Sequence, residues 1–262
     1  MTATAPAAKR SLRGAAVCVA LFAFGGAVLW GLFLAPRAHS PKAPDVPWRV
    51  PARPVRFASF EAFGGPVSDA LAKRVLELEP DYVLVQAIRF EDVLPLAERL
   101  GMAGSFHPAL FQRPDPRSKD QPGHLVLSKH PLYDAGPIWG DRRTAVGVSA
   151  VGVLDGSRFT VDSGVVPNDA SLAALRPPLS GLPPAVVAVS FVQASAGRTG
   201  AASGLLPLVS RTEPMVRGGP RVAVSTLYAD ASWAAVKANV VPVGGEPLIL
   251  FVELKASRGS GE

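Results

Sequence analysis

The sequence predicts a two-sheet α/β sandwich preceded by one N-terminal transmembrane helix. Helical patterns alternate with strand-like apolar runs only in the first third of the domain, strand-like runs dominate afterwards, and a long uncharged run lies near the N-terminus. A chain of 262 residues with 48% apolar residues accommodates one domain and such a span. Gly and Pro are abundant but follow no period, which excludes a collagen-like repeat.

The N-terminal segment predicts a membrane anchor. Residues 1–13 carry three basic side chains, and residues 14–35 follow without a charge. About 20 helical residues cross a bilayer core of ~30 Å, so this run is long enough to span. The basic residues favour a cytoplasmic N-terminus and an extracytoplasmic domain. The alternative is a signal peptide cleaved near Ala35 or Ala38, which would give a secreted form.

A proline-rich stretch follows the span. Residues 36–54 contain six prolines, which predicts an extended spacer that holds the domain away from the membrane. The only cysteine is Cys18, inside the span, so an intramolecular disulfide and a cysteine-based zinc site are both excluded.

The charge distribution argues against nucleic-acid binding. The net charge is +6, but the first 45 residues hold five basic residues and one acidic residue, a contribution of +4. Residues 46–262 therefore carry only +2, and their basic side chains are dispersed. We expect no dedicated nucleic-acid interface.

The first third of the domain, which we place at residues 55–255, predicts a strand, helix, strand, helix unit. The strands are the apolar runs Val55–Phe60 and Tyr82–Gln86, the second of which is apolar on both faces. Ser68 is positioned to cap the first helix. The second helix covers Phe90–Leu100 and ends at Gly101, which suits a left-handed C-terminal position.

The rest of the domain predicts strands separated by loops. Asp155-Gly156 indicates a two-residue hairpin turn. Residues 193–220 are rich in small residues and predict one long flexible loop, and residues 256–262 predict a C-terminal tail. The predicted strands are Gly123–Lys129, Leu132–Ile138, Thr144–Leu154, Ser157–Val161, Ala185–Val192, Arg221–Tyr228 and Pro247–Leu254.

Five segments of this domain, which we call blocks, each contain a strand-like apolar run together with the residues beside it. In chain order they are RFASFEAFGG, EPDYVLVQAI, GHLVLSKHPL, PAVVAVSFV and VPVGGEPLILFVEL. These blocks and their order resemble the sequence motifs of the endonuclease/exonuclease/phosphatase superfamily, the magnesium-dependent hydrolases related to DNase I. The resemblance implies a DNase I-like sandwich and, where the functional residues are kept, metal-dependent phosphoester hydrolysis. It also predicts that the strands that begin near Val55 and Tyr82 are neighbours, and that Ala185–Val192 and Pro247–Leu254 belong to the central sandwich.

The functional positions of that family carry other residues here. By the resemblance, the family's metal-binding Asn falls at Glu61, and its metal-binding Glu falls at Ala87, directly after Gln86. The remaining positions carry a His, an Asp, an Asn and an Asp-His pair in the family; here they are Gly164, Ser190, Val192, Gly244 and Gly245. The apolar framework is retained while the polar groups are replaced.

These departures leave two hypotheses. The first is a catalytically inactive member that acts as a binding or structural module and needs no cofactor; its protein or small-molecule partner is unknown. The second is an active but divergent phosphodiesterase, phosphatase or nuclease with a relocated Mg²⁺ or Mn²⁺ site. We expect Glu61 and Gln86 at neighbouring strand ends, where the Glu61 carboxylate could replace the one that is missing at Ala87. Glu61 is therefore the only candidate ligand for that metal.

Other polar residues have ordinary structural interpretations. The spacing of His107, His124 and His130 is not that of metal ligands, so we expect surface or locally hydrogen-bonded histidines. Residues 141–143, Asp-Arg-Arg, are interpreted as a solvated charge run, with an anion-facing loop as the alternative. We interpret Asp162 and Ser163 as strand-end hydrogen-bonding residues.

Overall fold

The computed structural model describes residues 40–62, 66–108, 122–139, 145–166, 183–191, 205–214, 222–244 and 246–257. The predicted transmembrane helix at residues 14–35 lies outside these ranges. Within them, neither helix has both the length and the apolar character needed to cross a bilayer.

The described residues form two six-stranded mixed sheets. The first sheet has the order β11-β12-β1-β2-β4-β3. Its strands are β1 (Val55–Glu61), β2 (Tyr82–Arg89), β3 (Ala103–Pro108), β4 (Pro122–Ser128), β11 (Trp233–Val243) and β12 (Glu246–Ala256). The second sheet has the order β5-β6-β7-β8-β10-β9. Its strands are β5 (Leu132–Trp139), β6 (Ala145–Leu154), β7 (Ser157–Val166), β8 (Ala185–Phe191), β9 (Leu205–Pro214) and β10 (Val222–Asp230).

The main core lies between the two sheets. Alternating residues of the central strands point inward, and an aromatic group occupies the middle of this layer. Phe57 stacks on Tyr82 with ring centroids 5.3 Å apart, while Phe159 and Trp233 meet Phe57 edge to face at 6.4 and 6.0 Å. All four side chains are buried, so the aromatic group links β1, β2, β7 and β11.

Two helices cover the outer face of the first sheet. They are α1 (Asp69–Glu77) and α2 (Phe90–Leu100), and their apolar sides form a second core layer with β2, β4 and β12. The Ser68 hydroxyl accepts a hydrogen bond from the Leu71 backbone N–H at 3.2 Å, as its capping position predicts. Gly101 ends α2 with φ 62°, the left-handed conformation expected of glycine there.

The predicted relations between strands are confirmed. β1 and β2 are parallel neighbours, from the pair Phe57 and Tyr82 to the pair Glu61 and Gln86. β8 and β12 both belong to the sandwich, one in each sheet. Asp155 and Gly156 have φ 50° and 65° and join β6 to β7 as a hairpin.

The proline-rich segment is not a separate spacer from Ser40 onward, which corrects our expectation for residues 36–54. Its backbone is extended, but it packs on the domain. The Arg49 N–H donates to the Arg158 carbonyl at 3.1 Å, and the Asp134 N–H donates to the Pro41 carbonyl at 2.9 Å. Proline fixes the extended conformation but does not keep a segment away from a sheet that can pair with it.

The long loop predicted over residues 193–220 is also corrected, because β9 lies within it. β9 pairs only with β10, so it is an edge strand, and its Pro207 and Pro214 are tolerated at such an edge. Two other edge strands, β3 and β11, are absent from the sequence prediction. Most of β11 faces solvent and lacks the apolar alternation that identifies buried strands.

Candidate functional site

Polar side chains collect between the sheets at the end where β1 and β2 finish. Glu61 and Gln86 are register partners on these parallel strands, as the sequence predicted for neighbouring strand ends. Strand alternation places Glu61 on the same face as Phe57, and Gln86 on the same face as Leu84, which both belong to the inter-sheet core. Both polar side chains therefore point into the sandwich.

Gln86 connects the two sheets. Its side chain is fully buried, and its amide N–H donates to the Ser163 hydroxyl of β7 at 3.1 Å. The Ser59 hydroxyl donates to Gln86 Oε1 at 3.3 Å. Ser163 in turn donates to the Val85 carbonyl at 3.1 Å, which confirms the interpretation of Ser163 as a strand hydrogen-bonding residue. Both the amide oxygen and the amide nitrogen of Gln86 are thus engaged by protein.

Glu61 is surrounded by hydroxyl groups rather than by other carboxylates. The Ser225 hydroxyl of β10 donates to Glu61 Oε2 at 3.2 Å and lies 3.0 Å from the Ser190 hydroxyl of β8. Burial raises the pKa of Glu61, and this effect exceeds the lowering by Ser190, Ser225 and the nearby positive charge of Arg211. Ionisation of Glu61 is therefore disfavoured relative to an exposed glutamate.

Arg211 completes this polar group, which we call the Glu61 cluster and which consists of Glu61, Ser190, Ser225 and Arg211. It lies on β9 opposite Ser225 and is 4% exposed. Sequence reasoning missed both residues, because Arg211 fell in the predicted loop and Ser225 inside an apolar run. No local pattern identifies them, since their proximity to Glu61 arises from the pairing of β8, β9 and β10.

Ala87 occupies a β-bulge. The β2–β4 register shifts between Val85 and Ile88, so Gln86 and Ala87 together face one residue of β4. Ala87 has φ 51°, a left-handed conformation that is unusual for a residue other than glycine, asparagine or aspartate. Bulges of this kind redirect side chains next to functional sites. Here the redirected side chain is a methyl group, which has no donor or acceptor.

The other family-equivalent positions are distributed differently. Gly164 lies within β7 and pairs with Gly147 of β6, where the backbones approach closely: a Cβ added to Gly147 would lie 2.6 Å from the Ser163 carbonyl oxygen. Gly244 has φ 60° in the turn between β11 and β12. Among the described positions, Ser190 alone contacts Glu61. Val192 and Gly245 lie outside the described residues, as do residues 141–143.

The histidines do not share one environment. His130 Nε2 lies 3.0 Å from Asp81 Oδ1, so the predicted local hydrogen bond is confirmed there. For His124 the prediction is wrong: the residue is 1% exposed, and among the described residues neither of its ring nitrogens has a hydrogen-bond partner. Burial, with a smaller contribution from His107, lowers the pKa of His124 to about 4. His107 is its register partner on β3.

The residues of the Glu61 cluster do not fit a hard divalent cation. Mg²⁺ and Mn²⁺ are held by several carboxylate and carbonyl oxygens. Here one carboxylate with a raised pKa faces two serines and an arginine, and the Gln86 oxygen accepts from Ser59. Within the described part of the chain, no group of three or more His, Cys, Asp or Glu residues could hold a metal ion.

Comparison with known proteins identifies the fold. No family model and no curated protein matches the sequence. Solved structures do match. A protein of the endonuclease/exonuclease/phosphatase family from Leptotrichia buccalis gives a TM-score of 0.59 at 10% identity, covering 78% of this chain and 99% of the other. Family structures from Beutenbergia cavernae and Bacteroides vulgatus each give 0.56 at 12% identity, covering 78% of this chain and 72% and 100% of theirs.

The chain therefore has the DNase I-like fold of the endonuclease/exonuclease/phosphatase superfamily, as the resemblance of its sequence blocks predicted. At 10–12% identity this likeness establishes the fold and no activity.

Proposed function

We propose that this protein is a membrane-anchored, catalytically inactive domain with the DNase I-like fold, and that it acts as a binding module. The observation that carries the proposal is the composition of the Glu61 cluster. A buried carboxylate with a raised pKa accepts hydrogen bonds from serines and lies near Arg211. A metal-dependent hydrolase needs several oxygen ligands for its cation at such a place.

The chemistry of phosphoester hydrolysis supports this proposal. The reaction needs stabilisation of negative charge on the phosphate, activation of water and protonation of the leaving oxygen. Ala87 and Gly164, at two of the family-equivalent positions, supply none of these groups. Ser190 supplies a hydroxyl that is bonded to Ser225. Loss of general acid–base catalysis alone costs about 10²–10⁴-fold in rate.

The retained core is compatible with loss of activity. Burial of apolar surface stabilises a fold by roughly 25 cal/mol per Å², and this contribution does not depend on catalytic groups. A binding module needs the same sandwich to present a surface, and hydrogen bonds among the side chains between the sheets join its strands without a metal ion.

We predict that the purified full-length chain hydrolyses neither DNA, RNA nor sphingomyelin in the presence of Mg²⁺ or Mn²⁺. Product formation should equal that of a blank without protein, because the described site lacks the ligands and acid–base groups. Restoration of one family residue by Ala87→Glu should also give no activity, since the acid–base groups remain absent.

Glu61→Gln is the informative control for that assay. It preserves the size of the side chain and removes the only candidate metal-binding carboxylate of the cluster. Metal-dependent turnover in the parent that is abolished in Glu61→Gln would overturn the proposal and establish a relocated active site. Turnover that is unchanged in the variant would instead identify a contaminating hydrolase.

The anchoring part of the proposal rests on the uncharged residues 14–35 and the basic residues before them. The chain enters the described domain away from the Glu61 cluster. The Ser40 hydroxyl donates a hydrogen bond to the Leu132 carbonyl, and Leu132 is the register partner of Gly152 near one end of β6. Gly147 lies at the other end of β6, where its register partner is Gly164. Ser40, the first residue that the structure describes, thus lies at the end of the sandwich opposite Glu61.

Protease accessibility tests this topology. With the N-terminus cytoplasmic, protease added to intact cells or spheroplasts should digest the domain. Complete protection until lysis would reject the proposed orientation. A soluble mature form that lacks residues 1–38 would show cleavage of a signal peptide in place of anchoring.

A further inference from the structure

We draw no further inference here: the strongest candidate, the surface patch of the exposed apolar side chains Phe90 and Leu94 on α2, the first of which contacts Phe106 of the edge strand β3, carries no proposal because nothing in the described part of the structure shows what covers it.

Discussion

Replacement of Phe57 by alanine is expected to lower the free energy of unfolding of the domain by about 4 kcal/mol. Phe57 is fully buried and contacts the rings of Tyr82, Phe159 and Trp233. Removal of its ring deletes aromatic contacts from both sheets and leaves a cavity that packed neighbours fill only partly. Urea denaturation of the full-length chain, followed by tryptophan fluorescence, measures the change.

Phe90→Ala provides the matched control for this effect. Phe90 begins α2 and is 65% exposed, although its ring contacts Phe106. The same truncation should therefore cost about 1 kcal/mol or less. If the two variants lose stability equally, the assignment of Phe57 to the centre of the inter-sheet core is wrong.

The second large effect is expected for Asp81→Asn, which should lose about 3 kcal/mol of stability at pH 7. The Asp81 carboxylate accepts from the Arg56 backbone N–H at 2.9 Å and from Arg53 at 3.1 Å, and it lies 3.0 Å from His130 Nε2. It thereby joins the segment before β1, β1 itself and the turn after β4. Asparagine loses the negative charge that these donors share.

The pH dependence of this loss follows from the pKa of Asp81. Burial alone would raise the pKa, but the donors Arg56, His130 and Arg53 together lower it below its usual value. Stability from a carboxyl with a lowered folded-state pKa is present above the unfolded-state pKa of about 3.9 and is lost as pH falls through the folded-state value. The stability difference between parent and Asp81→Asn should therefore shrink progressively below about pH 4.

Glu79→Gln is the control for Asp81→Asn. Glu79 also pairs with an arginine, at 3.3 Å from Arg56, but its side chain is 73% exposed. Exposed ion pairs contribute about 0–1 kcal/mol, so this variant should be nearly as stable as the parent at every pH. A difference between parent and Asp81→Asn that stays constant from pH 7 to pH 3 would contradict the role given to the Asp81 charge.

The two groups of buried polar residues differ in what they offer a ligand. The described hydrogen bonds of the Asp81 carboxylate are all to donors of the chain itself. Around Glu61, hydroxyls bond to one another and to a carboxylate whose ionisation is disfavoured. The contacts of Asp81 are therefore explained by their contribution to the stability of the fold. The Glu61 group lies at the same end of the first sheet as His124, whose ring is buried without a hydrogen-bond partner among the described residues.

Much of the local structure was predictable from short stretches of sequence. Ser68, Gly101 and the Asp155-Gly156 pair each act through their own backbone and immediate neighbours, and all three have the predicted conformation. The neighbouring strand ends of Glu61 and Gln86 were predictable too, because an apolar strand, a helix and a second apolar strand form a parallel pair. The edge strands β3, β9 and β11 were missed, because a strand with one neighbour needs little apolar alternation.

Nearby residues therefore determine the caps, the hairpin turn and the buried central strands, since propensity and apolar period operate over a few positions. The other features depend on contacts between residues that are far apart in the sequence. Arg211 reaches Glu61 only because β1 and β9, which are far apart along the chain, belong to sheets that face each other across the sandwich. Whether a buried polar group finds a partner is decided by those long-range pairings, and so the character of the site is a property of the tertiary structure.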